Sequence, residues 1–336
     1  MRCTSKKKSI VIRTALILMV SLVSSGICGC GSEDYDLHFD KDSSKSAFRF
    51  ESQDARECAV PFAEDLCIPG EDTVTTSEND IEAGPDSYAA AMLFDLKGKK
   101  TLYSKNPYKS LYPASMTKVL TALVALENSD IDRVLTADES CVMTENDVQK
   151  IGLRAGDTMT LDQALHILLI YSANDVANLI AVNIGGSIEG FAQMMNDKAV
   201  SLGATNSHFI NPSGLQDDDH YTTPYDMYLI FNEAINYGKF IEIIGMSEYS
   251  TVYHDHSGNE VNFECETTNR YLKGQYNPPQ AATVIGGKTG STLAAGTCLV
   301  LLSKDSSGNS FISVVMKANG VDVLYSKTNK LLELLQ

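Results

Sequence analysis

The sequence predicts a mixed α/β domain, in which helices flank an antiparallel sheet and a helical subdomain is inserted between strands. Apolar strand patterns around short polar turns predict two hairpins, over residues 88–104 and 296–317. Four stretches with helical apolar spacing lie between the hairpins, and an amphipathic stretch follows the second one. Because strand patterns lie at both ends of this region, we expect the sheet to join distant parts of the chain.

Each predicted element has its own local signal. In the first hairpin, residues 88–96 and 100–104 flank a turn at Gly98. In the second hairpin, residues 296–303 and 311–317 flank a polar turn. The predicted helices occupy residues 115–127, 161–171, 175–184, 188–202 and 321–335. These elements predict one folded domain over residues 87–336.

Charge divides the chain into three segments. The whole chain has 27 basic and 43 acidic side chains, a formal charge of −16, which argues against nucleic acid as a partner. Residues 1–29 contain five basic side chains and no acidic one, whereas residues 31–86 contain 16 acidic and 4 basic side chains. We therefore predict that residues 1–29 are a targeting segment and that residues 30–86 are an acidic, flexible tether.

The first segment has the order of a secretory signal peptide. Basic residues precede an apolar run over residues 14–23, and small residues follow it. That run is about half as long as the roughly 20 residues a membrane-spanning helix needs. Ile27 and Gly29 before Cys30 resemble a bacterial lipobox. We expect export and lipidation of Cys30, which would anchor the protein to the outer face of the cytoplasmic membrane; the alternative is plain secretion.

The remaining cysteines and histidines do not form a recognisable metal site. The chain has eight cysteines, and none is spaced with other cysteines or with histidines as zinc ligands are. Cys58 and Cys67 are near enough in sequence to form a disulfide, and the spacing leaves this open. His254 and His256 lie in a polar stretch that favours a hairpin turn over a metal site. We predict no metal and no cofactor.

A serine and a lysine share one turn of a predicted apolar helix. Ser115 precedes Lys118 by three residues, which places both side chains on the same helical face. The neighbours Met116, Val119 and Leu120 predict that this face is buried. A buried lysine is costly unless it is paired or its pKa is lowered, and a lowered pKa suits an amine that activates a hydroxyl nucleophile. A serine here can also act as a helix N-cap.

A second motif, Ser-Ala-Asn, begins at Ser172 between two apolar helical stretches. Serine followed two residues later by asparagine also occurs at Ser77, Ser257 and Ser307, but these copies lie in the acidic segment or in polar turns. Only the copy at Ser172 would bring a hydroxyl and the Asn174 amide to a cleft between helices. An ordinary helix cap is the alternative interpretation.

The third motif, Lys288-Thr289-Gly290, occurs once in the chain. It follows an apolar, glycine-containing stretch and leads into Ser291. Glycine at a strand edge allows an extended peptide to approach the backbone and to add like another strand. Lysine and threonine beside that edge would suit a substrate carboxylate.

In this order the three motifs resemble those of the serine-type D-alanyl-D-alanine carboxypeptidases, the low-molecular-mass penicillin-binding proteins. The resemblance extends from about residue 88 to residue 335. It includes shorter matches around the motifs, at residues 102–107, 112–118, 211–215, 220–223, 286–290 and 295–296. It implies a β-lactamase/transpeptidase-like fold and a serine DD-peptidase that removes the terminal D-alanine from peptidoglycan stem peptides during cell-wall remodelling.

The resemblance also implies residue roles. Ser115 would be the acylated nucleophile, Lys118 its base, and Ser172 a proton relay to the leaving amine. Backbone N–H groups of Ser115 and Ser291 would form the oxyanion hole.

The resemblance assigns the rest of the site to substrate binding. Asn174 would hold the substrate amide, and Lys288 and Thr289 would hold its terminal carboxylate beside Gly290. β-Lactams would be covalent inhibitors of the same serine.

Two other functions compete with this one. A class A-like β-lactamase shares the three motifs but also needs a glutamate that activates water, typically followed by asparagine four residues later. No glutamate between Asn174 and Lys288 is followed in this way. A non-catalytic wall-binding lipoprotein with a degenerate site is the other alternative, and the intact motifs argue against it.

Overall fold

The structure is a computed structural model that describes residues 66–67, 74–75, 87–145 and 147–335. Its strands, in chain order, are β1 (Val74–Thr75), β2 (Tyr88–Asp95), β3 (Lys100–Lys105), β4 (Val134–Thr136), β5 (Thr158–Thr160), β6 (Glu248–His254), β7 (Glu260–Glu266), β8 (Thr283–Thr292), β9 (Gly296–Lys304) and β10 (Ser310–Ala318). Its α-helices are α1 (Lys118–Asn128), α2 (Leu161–His166), α3 (Asn174–Gly185), α4 (Ile188–Ser201), α5 (Pro224–Ala234), α6 (Gly238–Ile244) and α7 (Val321–Leu332).

The main sheet joins the two ends of the folded region, as predicted. Its strand order is β1-β3-β2-β10-β9-β8, and every pairing is antiparallel except that of β1 with β3. β10 pairs with β2 on one side and with β9 on the other, so the two predicted hairpins lie side by side. The third motif lies on β8, at one edge of this sheet.

Helices cover both faces of the main sheet. Alternate residues of a strand point to opposite faces, so Phe94 and Leu93 of β2 belong to different cores. Phe94 stacks on Tyr228 of α5, with ring centroids 3.8 Å apart. On the other face, Leu93 and Leu301 belong to the core that contains Tyr325 of α7. The predicted α/β class with helices on the sheet is confirmed.

The predicted helices are present, and α5 and α6 were not predicted. The α5 helix begins with Pro224 at its first turn, and the Thr223 side chain accepts a hydrogen bond from the Asp226 amide at 3.1 Å. A threonine cap followed by proline is a recognisable helix start, and this signal alone would have located α5.

A second sheet has the strand order β4-β5-β6-β7. Its β6–β7 hairpin contains the predicted polar turn at residues 254–256. The Asp255 carboxylate accepts hydrogen bonds from the backbone amides of Ser257 at 2.9 Å and Asn259 at 2.8 Å. The strands β4 and β5 were not predicted because each has only three residues. The strands β6 and β7 alternate polar and apolar residues, which was an available strand signal that the sequence prediction missed.

Parts of the predicted tether pack against the domain. The tether was predicted over residues 30–86, yet Cys67 is a fully buried free thiol, and its backbone amide donates to Tyr228 Oη at 2.9 Å. The β1 strand adds to β3 within the same predicted tether. At these positions the prediction of a tether is wrong, because a buried cysteine and a backbone pairing hold the chain on the domain. The signal segment, Cys30 and Cys58 lie outside the described residues.

Within the described ranges, no helix combines the length and the apolar character needed to cross a membrane.

Candidate active site

The nucleophile candidate lies in a strained turn before α1. Ser115 belongs to a 3₁₀ turn (Ala114–Thr117), and Ala114 adopts a positive φ of 48°. Two glycines let other segments approach this turn: a Cβ at Gly214 would lie 1.9 Å from the Ala114 carbonyl oxygen, and one at Gly290 would lie 3.0 Å from the Ser115 nitrogen. The α1 helix has no side-chain N-cap bond, so Ser115 does not serve as its cap.

Lys118 lies beneath this turn, and its side chain is fully buried with Nζ among oxygen atoms. Its Nζ is 3.0 Å from Ser115 Oγ, 2.7 Å from Asn174 Oδ1 and 2.6 Å from the Ser213 carbonyl oxygen. Burial and, second, the positive field of Lys288 hold the pKa of Lys118 well below its usual range, and the Asp175 carboxylate opposes them. The sequence prediction of a buried lysine with a lowered pKa beside the serine is therefore matched by the structure.

The three contacts of Lys118 determine where the lone pair of its neutral amine points. The oxygens of Asn174 and Ser213 accept hydrogen bonds only, so Nζ must donate to both of them. A neutral amine has two N–H groups and one lone pair. With both N–H groups engaged, the lone pair is left for Ser115 Oγ, which is the arrangement of a general base.

The second motif stands next to the third. A π turn (Ile167–Tyr171) ends α2, and Ser172 follows it in the left-handed region with φ of 72°. Its Oγ accepts a hydrogen bond from Lys288 Nζ at 2.9 Å, and the same nitrogen donates to the Thr289 carbonyl oxygen at 3.1 Å. Burial lowers the pKa of Lys288 to about 7.

Lys288 lies behind Ser172. Its predicted role is to hold the substrate carboxylate, and its side chain is fully buried with Nζ donating to Ser172 Oγ. Periodicity along a strand shows which face a residue occupies, but not that a serine from another element lies over it. The contact that Lys288 makes in the cleft region is with Ser172.

A cleft of about 270 Å³ opens above these groups, and five of the predicted residues line it: Ser115, Ser172, Thr289, Gly290 and Ser291. Residues that the sequence analysis missed also line it, among them Gln149, Thr268 and Arg270. Thr289 Oγ1 donates to Thr268 Oγ1 at 2.6 Å. Of the described residues lining the cleft, Arg270 alone is charged, and a guanidinium is suited to a carboxylate. The polar run at residues 267–270, before β8, was the signal from which Thr268 and Arg270 could have been predicted.

A buried histidine supports the nucleophile turn through Thr117. His220 Nδ1 accepts the Ile210 amide at 3.1 Å, so its Nε2–H donates to Thr117 Oγ1 at 2.8 Å. Burial is the main cause that lowers the pKa of His220 to about 4. The ring is therefore neutral near pH 7 and holds the residue next to Lys118. His220 belongs to one of the short matches noted above, but its role was not predicted.

Relatives of this chain include two D-alanyl-D-alanine carboxypeptidases. DacF of Bacillus subtilis is 32% identical over 251 residues, a match that covers 73% of this chain and 61% of DacF. DacB2 of Mycobacterium tuberculosis is 35% identical over 216 residues, covering 63% of this chain and 69% of DacB2. The chain thus spans about three-fifths of the length of the Bacillus relative.

Solved structures and a family profile agree with these relatives. The DD-transpeptidase of Streptomyces K15 superposes with a TM-score of 0.67 at 25% identity, covering 73% of this chain and 95% of that chain. The fold is thus that of the penicillin-binding peptidases, as predicted. The profile described as D-alanyl-D-alanine carboxypeptidase matches residues 72–320, a range that contains all three motifs. This chain belongs to the D-alanyl-D-alanine carboxypeptidase family.

Proposed function

We propose that this protein is a serine DD-peptidase that removes the terminal D-alanine from peptidoglycan stem peptides. The observation that carries the proposal is the environment of Lys118: its Nζ contacts the Asn174 and Ser213 oxygens and lies 3.0 Å from Ser115 Oγ. In the neutral amine, the two N–H groups serve the Asn174 and Ser213 oxygens, and the lone pair faces Ser115 Oγ. Family membership supports the substrate class.

In the proposed acylation, Ser115 Oγ attacks the carbonyl carbon of the penultimate D-alanine, and its proton passes to Lys118 Nζ. The carbonyl oxygen becomes an oxyanion, which the backbone N–H groups of Ser115 and Ser291 would stabilise. The C–N bond then breaks, and the departing amine takes a proton through Ser172. Because Lys288 donates to Ser172 Oγ, it orients that hydroxyl and supplies positive charge behind it.

The substrate carboxylate is assigned to the cleft residues that reach it. Thr289 and Arg270 both line the cleft, whereas Lys288 lies behind Ser172. We therefore place the terminal carboxylate against Thr289 and Arg270. Asn174 accepts from Lys118 through Oδ1, which leaves its amide nitrogen for the substrate peptide.

Hydrolysis of the acyl-enzyme requires a water molecule at the ester. After cleavage of the natural substrate, D-alanine leaves and makes room for that water. A β-lactam keeps its ring fragment attached, and no acidic side chain is present among the described residues that line the cleft. The penicilloyl ester on Ser115 should therefore persist, which argues against the β-lactamase alternative.

The test uses labelled penicillin and a peptide that ends in D-Ala-D-Ala. The wild type should form one long-lived adduct on Ser115 and release D-alanine, and Ser115→Ala should do neither. Ser201→Ala is the matched control, because Ser201 is an exposed residue at the end of α4. Rapid turnover of penicillin would favour a β-lactamase, and an adduct on another serine would contradict the assignment. A folded wild type without adduct or product would favour a non-catalytic wall-binding lipoprotein.

We further propose that the protein is exported and anchored through a lipid on Cys30. The basic start, the apolar run at residues 14–23 and the lipobox-like residues before Cys30 support this proposal. Two acyl chains at that cysteine would make a stable anchor where one would be marginal. Cys30→Ala should move the processed protein from the membrane fraction to the soluble fraction. Retention of that variant in the membrane fraction would support another anchor.

A further inference from the structure

A fully buried carboxylate follows the Ser-Ala-Asn motif directly. Asp175 lies in the first turn of α3, next to Asn174. Its carboxylate accepts hydrogen bonds from three successive backbone amides, those of Ile151 at 3.0 Å, Gly152 at 2.7 Å and Leu153 at 3.1 Å. A buried charge is costly unless it is hydrogen-bonded, and these donors satisfy it without a basic side chain.

The same loop is attached to the motif at a second point. The backbone N–H of Asn174 donates to the backbone carbonyl oxygen of Gln149 at 2.8 Å, and Gln149 lines the cleft. Asn174 Oδ1 in turn accepts from Lys118 Nζ. Residues 149–153 and the start of α3 therefore form one hydrogen-bonded unit, which ends at the proposed base.

We infer that Asp175 is a positioning residue for the proposed peptidase reaction, which fastens residues 151–153 to the start of α3 and so fixes Asn174 against Lys118 and Gln149 at the cleft. This inference rests on the proposed function. It extends that function by one residue outside the three motifs, and Asp175 itself does not line the cleft.

The charge of Asp175 provides a readout that a loss of packing would not reproduce. Asp175 raises the pKa of Lys118, against burial and the field of Lys288. On β6, burial is the main cause that raises the pKa of Tyr253, and the carboxylates of Asp157 and Asp175 add to it. Since the neutral amine is the base, acylation rises with pH through the pKa of Lys118. Removing the Asp175 charge while Lys118 stays buried should move this rise to lower pH.

The experiment compares Asp175→Asn with Asp157→Asn. Asp157 is also a buried carboxylate that accepts backbone amides, from Arg154 and His256 at 2.8 Å each, but it does not line the cleft. Both proteins are checked for folding by circular dichroism. With labelled penicillin, Asp175→Asn should acylate about 10²-fold more slowly, as small misplacements of reacting groups do, and its pH profile should shift to lower pH. Asp157→Asn should lose stability but keep its acylation rate.

Three results would overturn the inference. The first is a folded Asp175→Asn that acylates like Asp157→Asn. The second is a shift of its profile to higher pH, which would mean that Lys118 has become solvated. The third needs only the wild type: rapid hydrogen exchange at the amides of residues 151–153 would show that the carboxylate does not hold them.

The proposed function fails separately from this inference. If the wild type and Asp157→Asn form no adduct and release no D-alanine, then the peptidase assignment is wrong, whatever Asp175→Asn does. If both are active and Asp175→Asn is equally active, then only the positioning role is wrong.

Discussion

Replacing Lys118 by methionine removes the proposed base and keeps an unbranched side chain of similar length. A general base contributes about 10²–10⁴-fold to the rate, which corresponds to about 3–5 kcal/mol in the barrier to acylation. The same change leaves the oxygens of Asn174 and Ser213 without their donor. At about 1–3 kcal/mol for each unsatisfied acceptor, the free energy of unfolding should fall by about 2–6 kcal/mol.

The assay is the second-order rate of labelling by penicillin, measured beside urea unfolding. Domains of this kind are stable by about 5–15 kcal/mol, so Lys118→Met should still fold at low temperature. Lys198→Met is the matched control, because Lys198 pairs with Glu127 at 2.6 Å on the surface of α4 and lies outside the cleft. A folded Lys118→Met that is labelled within about tenfold of the wild-type rate would refute the base assignment.

Three further predictions follow from the pKa shifts and the glycine contacts. His220 has a folded pKa of about 4 against its ordinary 6.5, so the unfolded chain takes up the proton first as the pH falls. The free energy of unfolding should therefore fall by up to about 3 kcal/mol between pH 6.5 and 4. In urea unfolding, His220→Gln should show a weaker dependence of stability on pH. Lys288 has a folded pKa of about 7 against its ordinary 10.5, so the unfolded chain binds more protons between pH 7 and 10.5. The free energy of unfolding should therefore rise with pH in this range, by up to about 5 kcal/mol. Lys288→Met should make this rise smaller in the same urea measurement. Gly214→Ala should slow penicillin labelling by about 10²-fold, because its Cβ would displace Ala114. Gly186→Ala shares a positive φ and has no atom within 4 Å of the added Cβ, so it should cost only about 1 kcal/mol and leave labelling intact.

The sequence indicated the candidate active site through polar residues that lie where an apolar residue is expected. A lysine on the apolar helix with Ser115 has few structural explanations, and the structure indeed buries Lys118 beside that serine. The main sheet was also predictable, because both hairpins have apolar strands and polar turns in their local sequence. Such signals are local, and they need no knowledge of which elements meet.

What the sequence did not reveal depends on contacts between distant segments. Arg270 and Gln149 reach the cleft from loops whose positions are set by other elements, so no spacing pattern relates them to Ser115. Nothing in the strand that contains Lys288 indicates that Ser172 lies over this side chain. Cys67 looked like part of a solvated segment, since its burial depends on Tyr228, which lies more than 100 residues away. Composition averages over a segment and does not detect single buried residues.

The strand order of the main sheet also determines how much of the chain must be synthesised before the active site can form. In the main sheet of the described residues, β8, which carries the third motif, is hydrogen-bonded to β9, and β10 joins β9 to the N-terminal strand β2. A nascent chain that has not yet extended past β10 therefore has its serine and its lysines but lacks the strand that joins β8 and β9 to β2. Contacts this distant in sequence form slowly, because the entropy of closing a long loop must be overcome first. Activity should consequently appear late, as a property of the finished chain, and a product truncated before β10 should be inert toward penicillin.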